Sequence, residues 1–145
     1  MTKKNLLLTL LAASLAVVYG VWFTHWFRPA TVRIFHVSRN LRAGPSRGNA
    51  LPNLIFGCAG NPVRLTELRV VPLATYETNK HAAPLWHLVS DSNSVPVKTF
   101  FYGQFIGGMR LAMKGVPAGP LESNVTYRLL ITAGRVNGQH DFELK

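Results

Sequence analysis

The stretch VTYRLLITAG, from Val125 to Gly134, is the clearest β-strand in the sequence. Apolar and polar residues alternate along it, which is typical of a strand with one buried face. Similar stretches are Thr31–Arg39 (TVRIFHVSR), Leu54–Cys58, Val63–Tyr76 with a register shift or bulge before Pro72, Pro84–Ser90 (PLWHLVS) and Val95–Phe105. Turn residues separate them about every ten residues, so we predict an all-β domain of six to seven strands packed as a β-sandwich.

Turn and loop signals complete this outline. Asn137-Gly138 predicts a hairpin turn, followed by a last strand with Phe142 and Leu144 facing inward. Residues 40–53 are rich in Gly, Pro, Asn and Ser, which predicts a loop or linker. The single cysteine, Cys58, lies among apolar and small residues, and we expect a packed thiol there.

The residues before the clearest strand carry a family resemblance. The sequence Leu121-Glu-Ser-Asn-Val-Thr-Tyr127 resembles the end of a fibronectin type III or immunoglobulin-like domain, where the Tyr hydroxyl bonds back to the backbone. Trp86 is similar to the core Trp of such domains, although the paired cysteines of antibody-type domains are missing. The resemblance covers about a third of the chain at most and implies an immunoglobulin-like sandwich, whose typical activity is binding.

A membrane segment precedes the domain. From Leu6 to Phe27 the chain has 22 residues without a formal charge, and a helix of that length spans about 33 Å, enough to cross a bilayer. We therefore predict a membrane anchor over residues 1–28, in contact with lipid, and the β-sandwich over residues 29–145. A cleaved signal peptide with a site at Ser14–Ala16 is the alternative, but the apolar run continues eleven residues past Ala16.

The charges that flank the anchor conflict over its orientation. Lys3 and Lys4 favour a cytoplasmic N-terminus, whereas five arginines after the span oppose it by the positive-inside rule: Arg28, Arg33, Arg39, Arg42 and Arg47. We expect a single pass through a cell inner membrane, with the domain on the extracytoplasmic side. We also expect these five arginines to contact anionic lipid headgroups. No nucleic-acid motif is present, so we expect no nucleic-acid partner.

One glycine-rich region predicts a protein contact. It contains aromatic and Met residues that suit an adaptable binding surface: Phe100, Phe101, Tyr102, Phe105, Met109 and Met113. The alternative is that most of these side chains form the sandwich core. No phosphate-binding loop is present, because the region lacks GxxxxGK[ST].

Two hypotheses that assign chemistry to the chain remain as alternatives. His36 and His87, if they share a sheet face, form a soft-metal site for copper together with Cys58, Met109 or Met113. A hydrolase would use Cys58 or Ser90 as nucleophile with His87 and Asp91, but GxSxG is missing and the chain has six acids. We therefore predict no enzyme activity and no cofactor. The predicted function is that of a membrane-anchored, protein-binding accessory or assembly subunit of a cell-envelope complex.

Overall fold

The computed structural model describes residues 3–26, 30–38 and 53–144. The first element, α1 (Lys3–Trp26), is a helix of 24 residues, which extends over about 36 Å. Its side chains from Lys3 to Phe23 are exposed, and apolar residues lie on every side of it. Of the described helices, α1 is long and apolar enough to cross a membrane, as a helix surrounded by lipid requires.

Ten short strands and one short helix follow α1 in the described residues. They are β1 (Ile34–Ser38), β2 (Leu54–Cys58), β3 (Val63–Arg64), β4 (Glu67–Pro72), α2 (Leu73–Thr78), β5 (Trp86–Val89), β6 (Pro96–Val97), β7 (Thr99–Phe101), β8 (Arg110–Leu111), β9 (Thr126–Ala133) and β10 (Val136–Glu143). These strands pair antiparallel in three sheets, in the orders β1-β2-β7, β10-β9-β4-β5-β8 and β3-β6. The chain is thus an N-terminal apolar helix followed by a mostly-β remainder.

The core lies between the three-stranded and the five-stranded sheet. Alternation along β9 buries Tyr127, Leu129 and Ile131, whereas the residues between them are half-buried. The ring of Phe56 in β2 meets that of Phe142 in β10 edge-on, with centroids 5.0 Å apart. Aromatic pairs in this geometry add to the free energy gained from burial, so rings from both sheets fasten the two layers together.

The last hairpin turns at Gly134–Arg135, three residues before the predicted position. Gly134 has a φ of 62°, the positive value that a two-residue hairpin loop needs. Gly138 is a buried strand residue, where a Cβ would lie 2.9 Å from the carbonyl oxygen of Val32 and 3.0 Å from two isoleucine side chains. The predicted turn at Asn137-Gly138 was wrong. The glycine at this position allows residues 31–34 to approach the strand closely and is not part of a turn.

The predicted strand from Val63 to Tyr76 divides into three elements. Leu65 and Leu68 are both buried, so the register shifts between β3 and β4, which lies before Pro72 as predicted. Beyond Pro72 the prediction was wrong, because α2 begins there and packs against β4 and β9. Proline lacks the N–H that a strand ladder requires and suits the start of a helix.

Candidate functional site

The outer face of the three-stranded sheet is apolar. Its central row consists of Val37, Ile55 and Phe101, which are cross-strand partners in β1, β2 and β7. In the next row the ring of Phe35 covers Gly57 so closely that a Cβ there would overlap it. We call these five residues the apolar face. Phe35 and Val37 are each 46% exposed and Phe101 is 48% exposed, so the face offers side chains to an outside contact.

Further exposed apolar side chains lie on the segment that crosses from one sheet to the other. We call Val95–Val116, which includes β6, β7 and β8, the crossing segment. Among the described residues that follow α1, seven large apolar side chains are exposed, and five belong to this segment: Val95, Phe101, Phe105, Met113 and Val116. Single exposed apolar side chains are ordinary, but their concentration on one segment is typical of a contact surface.

The six side chains predicted to bind a partner divide equally between core and surface. Three of them are buried: Phe100, Tyr102 and Met109. Phe101 lies on the apolar face, Phe105 is 68% exposed between β7 and β8, and Met113 is 70% exposed after β8. The exposed three therefore share the crossing segment but not one sheet face.

Phe105 lines a shallow groove together with Val95. The groove has a volume of ≈ 230 Å³. Gln104 Oε1 accepts a hydrogen bond of 2.9 Å from the N–H of Phe101. The N–H of Val95 donates to the carbonyl of Gly107 at 2.9 Å. Since both ends of this loop are tied to neighbouring backbone, the Phe105 ring is presented from a positioned loop, which lowers the entropy lost on binding.

Two buried tyrosines hold the chain that follows β8. The hydroxyl of Tyr102 donates to the carbonyl of Gly119 at 2.7 Å. The hydroxyl of Tyr127 accepts from the N–H of Glu122 at 2.9 Å. Burial raises the pKa of Tyr102, so its hydroxyl stays a donor at physiological pH. Residues 112–125, all described, contain no helix or strand, and these two bonds therefore help to fix their course.

A cleft of ≈ 750 Å³ opens where residues 31–34 run beside β10. Its lining combines cationic, aromatic, apolar and polar side chains, among them Arg33, Arg69, Tyr76, Leu130 and Gln139. The Nε of Arg69 lies 3.3 Å from Oε1 of Glu67, and this carboxylate offsets part of the positive charge of Arg69. Tyr and Arg are enriched in protein interfaces, so the composition of the cleft favours a contact with protein over a chemical site.

Acidic residues are confined to one part of the molecule. None lies from Arg28 to Thr66 or from Ser92 to Leu121, the stretches that supply all three strands of the three-stranded sheet. On the other sheet, Arg128 holds Asp141 at 2.7 Å, and hydrogen bonding to this guanidinium lowers the pKa of that carboxyl. The five-stranded sheet thus carries paired charges of both signs, whereas the three-stranded sheet carries no negative charge.

His36 and His140 join the two sheets at the edges formed by β1 and β10. The Nδ1 of His36 lies 2.7 Å from the Nε2 of His140, so one ring donates and the other accepts, which requires a neutral acceptor ring. Burial, followed by the charge of His36, lowers the pKa of His140, and Asp141 opposes this shift without cancelling it. His140 is therefore neutral at pH 7, and acid weakens this junction.

The residues predicted to hold copper do not meet. His36 contacts His140, whereas His87 lies in the five-stranded sheet. Cys58 is buried, and burial raises the pKa of its thiol. Within the described ranges, no three His, Cys, Asp or Glu side chains come together as a metal ion requires. His36 and His87 do not share the sheet face that the copper hypothesis required, because β1 and β5 lie in different sheets.

The residues considered for a hydrolase have other partners. His87 Nε2 lies 2.9 Å from Glu67 Oε1. The Ser90 hydroxyl donates to the carbonyl of Gly108 at 2.7 Å, and Asp91 pairs with an arginine of β8 at 3.0 Å. A nucleophile must be hydrogen-bonded to its base, so these side chains have structural partners in place of a catalytic relay.

Of the five arginines predicted to contact lipid, the structure describes Arg33. Its side chain is exposed, and its backbone carbonyl accepts a hydrogen bond of 2.8 Å from Ala59. Two residues earlier, Thr31 forms a parallel bridge with Asn137. The other four arginines lie outside the described residues: Arg28, Arg39, Arg42 and Arg47. Residues 40–52 of the predicted loop also lie outside them.

Sequence reasoning missed the contact between His36 and His140, which are 104 residues apart. Each histidine is half-buried between two exposed neighbours in its strand. This alternation is the signal in the sequence from which their inward positions could have been predicted. Comparison of the chain with protein family models, with curated proteins and with solved structures finds no match.

Proposed function

We propose that this chain is a single-pass membrane protein whose β-domain binds another protein, as an accessory or assembly subunit of a cell-envelope complex. The observation that carries the proposal is the crossing segment, which holds five of the seven exposed large apolar side chains described after α1. The helix α1 suits the anchor by its length and composition. We place its N-terminus in the cytoplasm and the domain outside it, at a cell inner membrane.

The chemistry of the crossing segment indicates what its partner offers. Exposed aromatic and Met side chains are enriched in protein interfaces, and Phe105 and Met113 are the most exposed of this set. The segment contains no acid, and Lys98 and Lys114 are exposed on it. We expect an apolar partner surface with acidic residues at its rim.

The buried half of the predicted residues supports the exposed half. The rings of Phe100 and Tyr102 contact Trp86 in the five-stranded sheet, with centroids 6.2 and 5.2 Å away. The strand and loop that carry Phe101 and Phe105 are therefore tied to the core of the domain. Rigid placement of contact residues lowers the entropic cost of association, which suits a permanent subunit of a complex.

We also propose that the domain is an immunoglobulin-like sandwich. The orders β1-β2-β7 and β10-β9-β4-β5 correspond to strands A-B-E and G-F-C-C′ of such domains. The bond from the N–H of Glu122 to the hydroxyl of Tyr127 supports the tyrosine corner that the resemblance implies. Two features depart from the pattern: β8 lies beside β5 although it follows β7, and Trp86 lies on the C′ equivalent.

Mild detergent extraction of the full chain from its native membrane tests the protein contact. We expect one stoichiometric partner with the unsubstituted chain. The double variant Phe105→Ala/Met113→Ala should weaken the contact about thirtyfold, since each interface anchor contributes on the order of 1 kcal/mol and every 1.4 kcal/mol is a factor of about ten. Val37→Ala is the matched control, because it shortens a half-exposed apolar side chain outside the crossing segment.

Two results would contradict the protein-binding proposal. One is recovery of the unsubstituted chain without a partner. The other is equal recovery of the partner by the double variant and by Val37→Ala. Protease digestion tests the orientation separately, in cells whose outer barrier alone is opened and in fully lysed cells. An extracytoplasmic domain is cut in both samples, whereas a cytoplasmic domain is cut only after lysis of the inner membrane.

A further inference from the structure

We infer that the apolar face lies on the anionic lipid surface of the same membrane that holds α1. This inference depends on the membrane anchoring proposed above, but not on the protein partner. The face is formed by the strands β1, β2 and β7 and presents Phe35, Val37 and Phe101 to the outside. Aliphatic and aromatic side chains of this kind insert at the boundary between headgroups and acyl chains.

Charge selects this face over the others. Arg33, Phe35 and Val37 are exposed at alternating positions, while the residues between them are half-buried, so an exposed cation directly precedes the two exposed apolar side chains of β1 along the chain. The stretches that supply the three strands contain no acid. A cation near an anionic bilayer gains free energy and a carboxylate loses it. The five-stranded sheet, which carries Glu67, Asp141 and Glu143, is the less favourable side.

The chain length between anchor and sheet keeps the face close to the bilayer. The helix α1 ends at Trp26 and β1 begins at Ile34. Eight peptide units reach at most about 28 Å when fully extended, which is comparable to the width of a small domain. The strand β1 follows directly from this short connection, so it is the part of the sheet that is held nearest to the membrane.

This placement also separates two contacts that the domain can make at once. With the apolar face on lipid, the outer face of the five-stranded sheet faces away from the bilayer. Of the crossing segment, Phe101 belongs to the apolar face, whereas Phe105 lies between β7 and β8 and Met113 follows β8, so these two side chains lie outside the lipid contact. Docking on lipid would thus orient the domain toward a neighbouring subunit in the membrane.

Spin labelling of the full chain tests the contact. We use nanodiscs that hold one chain each, made of phosphatidylcholine alone or of equal parts phosphatidylcholine and phosphatidylglycerol. Val37→Cys places a label on the apolar face, and Met113→Cys is the control on an exposed loop. Cys58 is buried with a raised thiol pKa, so labelling goes to the new thiol. Collision with oxygen and with a water-soluble nickel complex reports lipid contact.

We expect the label at position 37 to gain oxygen collisions and lose nickel collisions in the anionic discs, while the label at position 113 stays in water. Arg33→Gln should lower the ratio of docked to undocked chain about fivefold, as expected for one cation near an anionic surface. Hydrogen exchange on the unsubstituted chain is a second measurement that needs no new cysteine. The amides of residues 30–38 should exchange more slowly in anionic discs, and those of residues 112–124 should not.

Three results would overturn the inference. The first is a label at position 37 that collides with nickel as often in anionic discs as in neutral ones. The second is equal protection in detergent micelles, which would mean that lipid does not cover the face. The third is protection that appears only with two chains per disc, which would identify a second copy as the occupant. None of these results bears on the partner recovered through Phe105 and Met113.

Discussion

Removal of one hydroxyl from either buried tyrosine tests how the chain between β8 and β9 is held. Tyr127→Phe leaves the N–H of Glu122 without its acceptor at 2.9 Å, and Tyr102→Phe leaves the carbonyl of Gly119 without its donor at 2.7 Å. Both rings are at most 3% exposed, so a phenyl ring fills the same space. The variants therefore measure the hydrogen bonds and not the packing.

The surroundings of the two backbone groups predict which loss costs more. Glu122 is exposed, so water replaces much of the bond that its N–H loses, and we expect Tyr127→Phe to cost about 1 kcal/mol. Gly119 is half-buried, so Tyr102→Phe should cost more, about 1.5 kcal/mol. Both bonds hold residues within four positions of each other. The double variant should therefore cost less than the sum, because one loss already releases the segment.

Urea unfolding of the full chain in micelles, followed by the circular dichroism of the strands, measures these differences. A cost of 1 kcal/mol lowers the midpoint by about half a molar or lowers the Tm by about 4 °C. Tyr76→Phe is the control, since this tyrosine is half-buried on α2 and its ring lies under Arg128. An unchanged midpoint for both buried tyrosines, or a larger loss for Tyr127→Phe, would refute the reasoning.

Three further perturbations have outcomes that the structure predicts. Because the pKa of His140 is lowered in the folded chain from 6.5, the unfolded chain takes up a proton first as pH falls. The contribution of neutral His140 to the free energy of unfolding should thus be fully present above pH 6.5 and decrease below it. The urea midpoint of His140→Gln should therefore depend less on pH than that of the unsubstituted chain. Gly138→Ala places a Cβ within about 3 Å of three atoms and should cost about 2 kcal/mol by thermal unfolding, whereas Gln139→Ala beside it should be nearly neutral. A thiol reagent should modify Cys58, which is buried with a raised pKa, only after urea is added, and rapid labelling of the native chain would contradict its burial.

Strands that alternate in sequence could be predicted because their cause is local. In β5, Trp86 and Leu88 are buried while His87 and Val89 are half-buried, as the pattern of PLWHLVS indicates. The run Leu54–Cys58 was predicted with the bounds that the structure gives. In both stretches, one sheet face against the core decides the conformation, and this requirement is written in neighbouring residues.

Features that depend on distant residues could not be predicted. Gly138 is a glycine because the carbonyl of Val32 approaches it, and Val32 is more than a hundred residues earlier. The same limit applies to the surface, because Phe100 and Phe101 are adjacent and both aromatic, yet one is buried and the other is exposed. Which of two neighbouring rings faces the core follows from strand pairing, and pairing is decided by the whole domain.

Arg33 weighs less against the proposed orientation than its position near α1 indicates. The N–H of Val32 donates to Asn137 at 3.2 Å, and the carbonyl of Arg33 accepts from Ala59 at 2.8 Å. Residues 31–34 are therefore part of the folded domain. The positive-inside rule applies to short flanks near the span, and larger domains cross the membrane largely regardless of charge. Arg33 then belongs to the domain and not to a flexible flank, so it counts less against the cytoplasmic N-terminus that we propose from Lys3 and Lys4.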